Sequence, residues 1–231
     1  MVIFSIQDGQ DVIGETAADH PVQERKSEKE RIAGMNLDLL LKRMLTVGVI
    51  AFCSVGTLAA ESSKKTSRIL IAFYSYSGNT RAAAKQIQDA CGGDLFEIKP
   101  LTAYPSKYNA CVAQAKKEIR DGYTPPLADK ADLTPYDIVF LGSPNWWGTM
   151  APPVRSFIQK NDLAGKTIVP FFTHGGGGMQ NCEADMKKYC EAARAGKILS
   201  AFVCSGRVVH QPVPSLKTWA EEAVKAAAAK K

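Results

Sequence analysis

From Arg68 onward the chain alternates short, nearly unbroken apolar runs with longer segments of helical spacing, and this alternation restricts what it can fold into. The runs are Arg68–Tyr74, Leu95–Ile98, Asp137–Leu141, Thr167–Phe172 and Ile198–Cys204. Arg68-Ile-Leu-Ile-Ala-Phe-Tyr74 lacks the polar alternation of a half-exposed strand and reads as one buried on both faces. Helical segments lie between the runs, at Arg81–Ala90, Asn109–Arg120, Pro152–Gln159 and Met179–Ala193, and a closing one runs from Ser215 to Ala229. Pro152 falls in the first turn of its helix, where a missing N–H costs nothing. Strands and helices in this order predict an α/β domain, a parallel five-stranded sheet with helices on both faces. With 45% hydrophobic residues the chain can fill such a core.

The residues before Arg68 read differently. Residues 1–34 are polar, without sustained periodicity, and charge-dense from Glu24 to Arg31. Lys42-Arg43 then precedes an apolar stretch of about 15 residues, Met44–Leu58, closed by the small pair Ala59-Ala60. A basic segment, an apolar segment and a small-residue site make a signal-peptide pattern at 35–60, with 61–66 as a linker and the domain at 67–231. Signal peptides begin at a start site, so Met35 is the expected start and residues 1–34 a leader. The stretch falls short of the roughly 20 residues that a spanning helix prefers. Export with cleavage after Ala59 or Ala60 is therefore expected, and membrane contact only through the signal segment; an uncleaved anchor is the alternative.

In a parallel α/β sheet, ligands bind outside the C-terminal ends of the strands. The loops after the first, third and fourth runs are therefore the places to look. Ser75-Tyr-Ser77-Gly78-Asn79-Thr80 offers hydroxyls, a permissive glycine and N–H groups at a helix start, a combination suited to a phosphate. It lacks both the Gly-Lys-Ser/Thr of a triphosphate loop and the G-x-G-x-x-G of a dinucleotide fingerprint. Gly142-Ser-Pro144-Asn145-Trp146-Trp147-Gly148-Thr149 places two indoles past a buried strand, where they can stack on a flat heteroaromatic ring; one of the two can equally cap the core. Thr173-His174-Gly175-Gly-Gly-Gly178 lets backbone approach a ligand closely. Together these loops fit a monophosphate bearing a large planar ring, as FMN does.

The same three stretches carry a resemblance. Ser75–Thr80 resembles the flavodoxin phosphate-binding signature, and it stands directly after the first strand. Tyr136–Thr149 and Phe172–Gly178 are similar to the two flavin-ring loops of a flavodoxin-like subfamily. The resemblance covers about residues 67–231 and implies a doubly wound sheet of order 2-1-3-4-5. It implies FMN, with Ser75, Ser77, Gly78, Asn79 and Thr80 on the phosphate. Pro144, Asn145, Trp146, Trp147 and Gly148 would flank one side of the ring, and Thr173, His174 and Gly175 the other. The uninterrupted fifth strand resembles the short-chain branch.

Charge and cysteines narrow the rest. Residues 67–231 hold 21 Lys and Arg against 14 Asp and Glu, an excess of +7, whereas typical flavodoxins are acidic. The cations are scattered and never interleaved with aromatics, which argues against nucleic acid; a redox partner protein with an acidic face is expected. Cys91, Cys111, Cys182, Cys190 and Cys204 follow the cleavage site, an odd number. Cys182 and Cys190 share one helix about 12 Å apart, too far for a disulfide, so buried thiols and no metal site are expected. An electron carrier is the leading expectation, without a catalytic side chain of its own. An FMN-dependent NAD(P)H:quinone or nitro reductase is the alternative, and an interaction module that has lost its cofactor is a third.

Overall fold

The computed structural model describes residues 68–229. The expected leader, signal segment and linker lie outside the described residues.

Strand β1 (Ile69–Phe73) is buried along its whole length, and its side chains alternate between two cores. Leu70 and Ala72 face one, Ile69, Ile71 and Phe73 the other. Strand β3 (Ile138–Trp146) repeats the division with Val139 and Leu141 against Ile138 and Phe140. Strand β5 (Thr167–His174) does so with Ile168 and Phe172 against Val169 and Phe171. A strand with period 2 and no polar face must be covered on both sides. Helices α1 (Asn79–Cys91) and α5 (Pro214–Ala228) cover one face with Ala83, Ile87, Leu216 and Ala220. Helices α2 (Tyr108–Arg120), α3 (Pro152–Lys160) and α4 (Cys182–Ala192) cover the other with Cys111, Phe157, Cys182 and Met186.

With β2 (Asp94–Glu97), β4 (Thr149–Met150), β6 (Lys197–Ile198) and β7 (Phe202–Ser205), the sheet has the order β2-β1-β3-β5-β6. All main neighbours are parallel, β7 continues beside β5, and β4 turns back antiparallel on the end of β3. Counted along the chain, this is the 2-1-3-4-5 order of a doubly wound sheet. The chain leaves β1 toward β2 on one side and β3 on the other, so a crevice opens above β1 and β3.

Three elements differ from the sequence reading. The loop expected after Leu141 is in part strand: β3 runs on to Trp146 and pairs with β4 through Asn145↔Met150 and Trp146↔Thr149. Trp147 and Gly148, at φ 54° and 87°, form the two-residue turn of this hairpin. Asn-Gly or Asp-Gly would have signalled such a turn; Trp-Gly does not.

The single fifth strand expected at Ile198–Cys204 is two. Ile168 pairs with Ile198 but Phe171 with Phe202, so the outer strand gains one residue between them. Pro170 is the cause. Ile168 C=O accepts from Leu199 N–H across this edge, and Pro170, two residues on, faces the same way without an N–H to offer. Ala201 N–H is taken instead by Glu183 Oε1 at 2.7 Å, on the first turn of α4. That helix begins at Cys182, not Met179, because Gln180 sits in the left-handed region at φ 47°.

Candidate functional site

The first loop leaves β1 through buried Tyr74, whose N–H donates to Gly142 C=O at 3.1 Å. The chain then turns at Ser75–Gly78 and enters α1, with Gly78 in a left-handed conformation that opens the helix (φ 90°). The N–H groups of a first turn have no partner within their helix. Here Arg81 N–H is met by Ser75 Oγ at 3.2 Å. Ser77 is exposed, and space around Gly78 is open. Thr80 is different: it is 1% exposed, and its hydroxyl pairs with that of Thr173 at 2.9 Å. Asn79 turns its carboxamide oxygen to His210 Nε2 at 2.7 Å.

The second and third loops face each other. Asn145 joins them: its Nδ2 donates to Gly178 C=O at 2.8 Å and to Gln180 Oε1 at 3.0 Å, and its Oδ1 accepts from Gly148 N–H at 2.9 Å. Asn181 N–H donates to Gly148 C=O at 2.9 Å, so both peptide groups of Gly148 are engaged. His174 Nδ1 accepts from Gly176 N–H at 3.0 Å and steadies the glycine run. Pro144 and Thr173 are register partners on β3 and β5, and they set how far apart these two loops begin.

The two tryptophans do separate jobs. Trp146 is half-buried and stands edge-on to Tyr74, Tyr104 and Tyr76, with centroids 5.5, 5.0 and 6.0 Å away. Beneath it Tyr104 Oη donates to the buried Glu118 carboxylate at 2.5 Å. Burial pushes the Tyr74 and Tyr104 phenols far above their ordinary value, so this aromatic floor stays neutral. Trp147 is 55% exposed. Its Nε1–H reaches Val112 C=O on α2 at 3.2 Å, and Lys116 Nζ lies 4.7 Å from its ring centre.

Between these walls lies a cleft of about 580 Å³. Asn145, Trp146, Trp147, Gly148, His174 and Gly175 line it, together with Tyr76 from the first loop. Gly176 and Gly177 of the third loop line it too, and Tyr108, Cys111, Val112 and Ala115 of α2 and Gln180 complete the lining; none of these last five was legible as a site residue. Tyr76, Gly176 and Gly177 carried a signal, since they lie inside the Ser75–Thr80 and Thr173–Gly178 motifs. A cleft of this size, with aromatic walls and a few convergent amides, suits a planar heteroaromatic ligand. Of the Ser75–Thr80 loop only Tyr76 lines this cleft, and Ser75 lines a neighbouring cavity. Ser77, Gly78, Asn79 and Thr80, like Pro144 and Thr173, lie outside the lining. The hydroxyls and first-turn N–H groups of the loop suit a phosphate. The residues present therefore fit FMN.

A family model for Flavodoxin matches residues 68–219. The chain belongs to the flavodoxin family. Among solved structures, this flavodoxin-family chain is similar to a candidate flavoprotein from Bacteroides eggerthii DSM 20697, 29% identical with a TM-score of 0.59, covering 68% of this chain and 97% of that one. A flavoprotein from Lactobacillus acidophilus NCFM, solved in complex with FMN, shares the fold at 22% identity and a TM-score of 0.53, covering 59% of this chain and 93% of its own. A relative named NAD(P)H dehydrogenase (quinone) 3, from Rhizobium meliloti (strain 1021), is 27% identical over 118 residues, 47% of this chain. The match spans 54% of that relative, about half its length.

Proposed function

We propose that this chain binds FMN at the C-terminal edge of its sheet and carries electrons between redox partners. The observation that carries the reading is the meeting of three separate loops around one aromatic cleft, the first of them running on into a helix start suited to a phosphate. Bound FMN supplies one- and two-electron redox chemistry at neutral pH. The chain's part is to bind, orient and tune. Ser75, Ser77, Gly78, Asn79 and Thr80 form the phosphate end, with Ser77 and the backbone N–H groups as direct donors and Thr80 as the tie that holds α1 to β5. Asn145, Trp146, Trp147 and Gly148 take one side of the ring, with Pro144 behind them. His174 and Gly175 take the other, with Thr173 behind them. No side chain is assigned a catalytic step.

The basic domain supports a partner with an acidic face, and the tract before Arg68 supports export. Purification of the full chain and a visible spectrum before and after reduction test the reading. A yellow protein that bleaches on reduction is expected. A colourless protein that takes up no added FMN overturns it and leaves the interaction-module alternative.

A second reading, an FMN-dependent NAD(P)H:quinone or nitro reductase, has one observation in its favour: the similarity to the quinone dehydrogenase over about half of that protein. Steady-state oxidation of NAD(P)H with a quinone acceptor separates the two. Turnover by the purified chain alone favours the enzyme, and reduction only through a partner protein favours the carrier.

A further inference from the structure

The turn after β7, Gly206–Gln211, is fastened to the phosphate end from several directions. Gln86 of α1 donates from Nε2 to Val209 C=O at 2.7 Å and to Gln211 C=O at 3.1 Å, and its Oε1 accepts from Val213 N–H at 2.8 Å. Gly206 N–H donates to His174 C=O at 2.8 Å, joining the turn to the third loop. Val209 is wholly buried beneath it. The turn is therefore a fixed body at the position where α1 begins.

Asn79, the first residue of α1, is gripped by this turn on both sides of its carboxamide. His210 Nε2 lies 2.7 Å from Oδ1. A carboxamide oxygen only accepts, so Nε2 carries the proton and the imidazole is the donor. Gly206 lies against the amide nitrogen so closely that a Cβ at 206 would stand 2.2 Å from Nδ2. A side chain at 206 would meet the end of the Asn79 side chain and push the carboxamide out of this position.

We propose that His210 is a positioning residue for the cofactor phosphate. It acts through Asn79: by holding the carboxamide it fixes the backbone of the first turn of α1, whose N–H groups then face the phosphate without further ordering on binding. This rests on the proposed FMN reading and goes beyond it, since it assigns a role to a histidine outside all three loops. It also makes Asn79 a backbone donor whose side chain serves the turn.

The test is titration of the full-length protein with FMN and with riboflavin, which lacks the phosphate, followed by quenching of flavin fluorescence. His210→Ala should raise the Kd for FMN roughly three- to tenfold, the range of one hydrogen bond lost at an otherwise intact site. The Kd for riboflavin should change by less than about twofold. His210→Gln, which keeps an N–H donor, should recover most of the loss. Asn79→Ala combined with His210→Ala should be no worse than Asn79→Ala alone, because both remove the same contact.

Equal losses on both flavins would mean that the turn supports the fold and not the phosphate, and would overturn the proposal. So would wild-type FMN affinity in His210→Ala, no recovery in His210→Gln, or independent losses in the double variant. A wild-type protein that binds no FMN defeats the flavin reading itself. That result is distinct from wild-type binding left untouched by His210→Ala.

Discussion

Thr80 Oγ1 and Thr173 Oγ1 lie 2.9 Å apart with both side chains almost wholly buried, so one hydroxyl pair ties the start of α1 to the centre of the sheet. The relationship alters what these two residues are expected to do. Read from sequence they belong to two different ligand loops, yet in the fold each is the other's partner. Thr80→Val leaves the Thr173 hydroxyl buried without that partner and should cost about 1–3 kcal/mol in denaturant unfolding. Replacing both with Val removes donor and acceptor together and should cost clearly less than the two single changes added. A double variant as unstable as that sum would mean the pair is a contact without coupling.

Ser77 is exposed at the proposed phosphate end, where Thr80 is buried. Ser77→Ala should weaken FMN by about 1.5–3 kcal/mol, the loss of one bond to a charged group, and leave riboflavin nearly unchanged. Calorimetric titration with both flavins measures it. Identical losses for the two would mean that the hydroxyl never meets the phosphate.

Trp147 should give the opposite signature. It stands at the cleft, 55% exposed, where the proposed reading puts the flavin ring. Trp147→Ala should weaken FMN and riboflavin alike, by about 1 kcal/mol or more, as expected for a lost aromatic contact. Flavin fluorescence in the complex should rise as indole quenching disappears. An unchanged emission yield would place the ring elsewhere in the cleft.

Gly148 has φ 87° at the second position of the hairpin turn, a conformation that side chains rarely adopt. Gly148→Ala should destabilise the protein by about 1 kcal/mol or more. It should also disturb the Gly148 N–H bond to Asn145, and so the join between the two ring loops. A thermal midpoint equal to the wild type would show that the turn relaxes without cost.

The buried thiols give a pH-dependent expectation. Burial pushes Cys182 and Cys190 up to about 12 and Cys204 to about 11, from an ordinary 9.0. The folded state thus keeps these protons where the unfolded chain loses them. The resulting stability is complete below about pH 9 and is lost as pH rises toward 11 and 12. Among the described cysteines, iodoacetamide near pH 8.5 should label half-buried Cys91 first and spare these three until the chain unfolds. Equal labelling rates, read by mass spectrometry, would contradict that burial.

How much the sequence determined by itself can be stated residue by residue. The strand cores from Ile69 to Phe73, Ile138 to Leu141 and Ile168 to Phe172 were legible, because a strand covered on both faces must be apolar at every position. The three loops that meet at the cleft were legible as candidates for a related reason: their Ser and Gly residues stand directly after buried strands, where packing alone gives them little use.

What the sequence could not carry was set by partners distant along the chain. Trp146 and Trp147 are adjacent and chemically identical, yet one meets Tyr74 and Tyr104 and the other meets Val112. Their division follows from where the hairpin turns. The bond between Thr80 and Thr173 spans 93 positions, that between Asn79 and His210 spans 131, and no local pattern encodes either. The break in the fifth strand was written at Pro170, but on the neighbouring strand. Local sequence sets which faces must be buried, because burial acts on each residue singly. Hydrogen-bond partners are pairwise, and only the tertiary structure decides which groups meet.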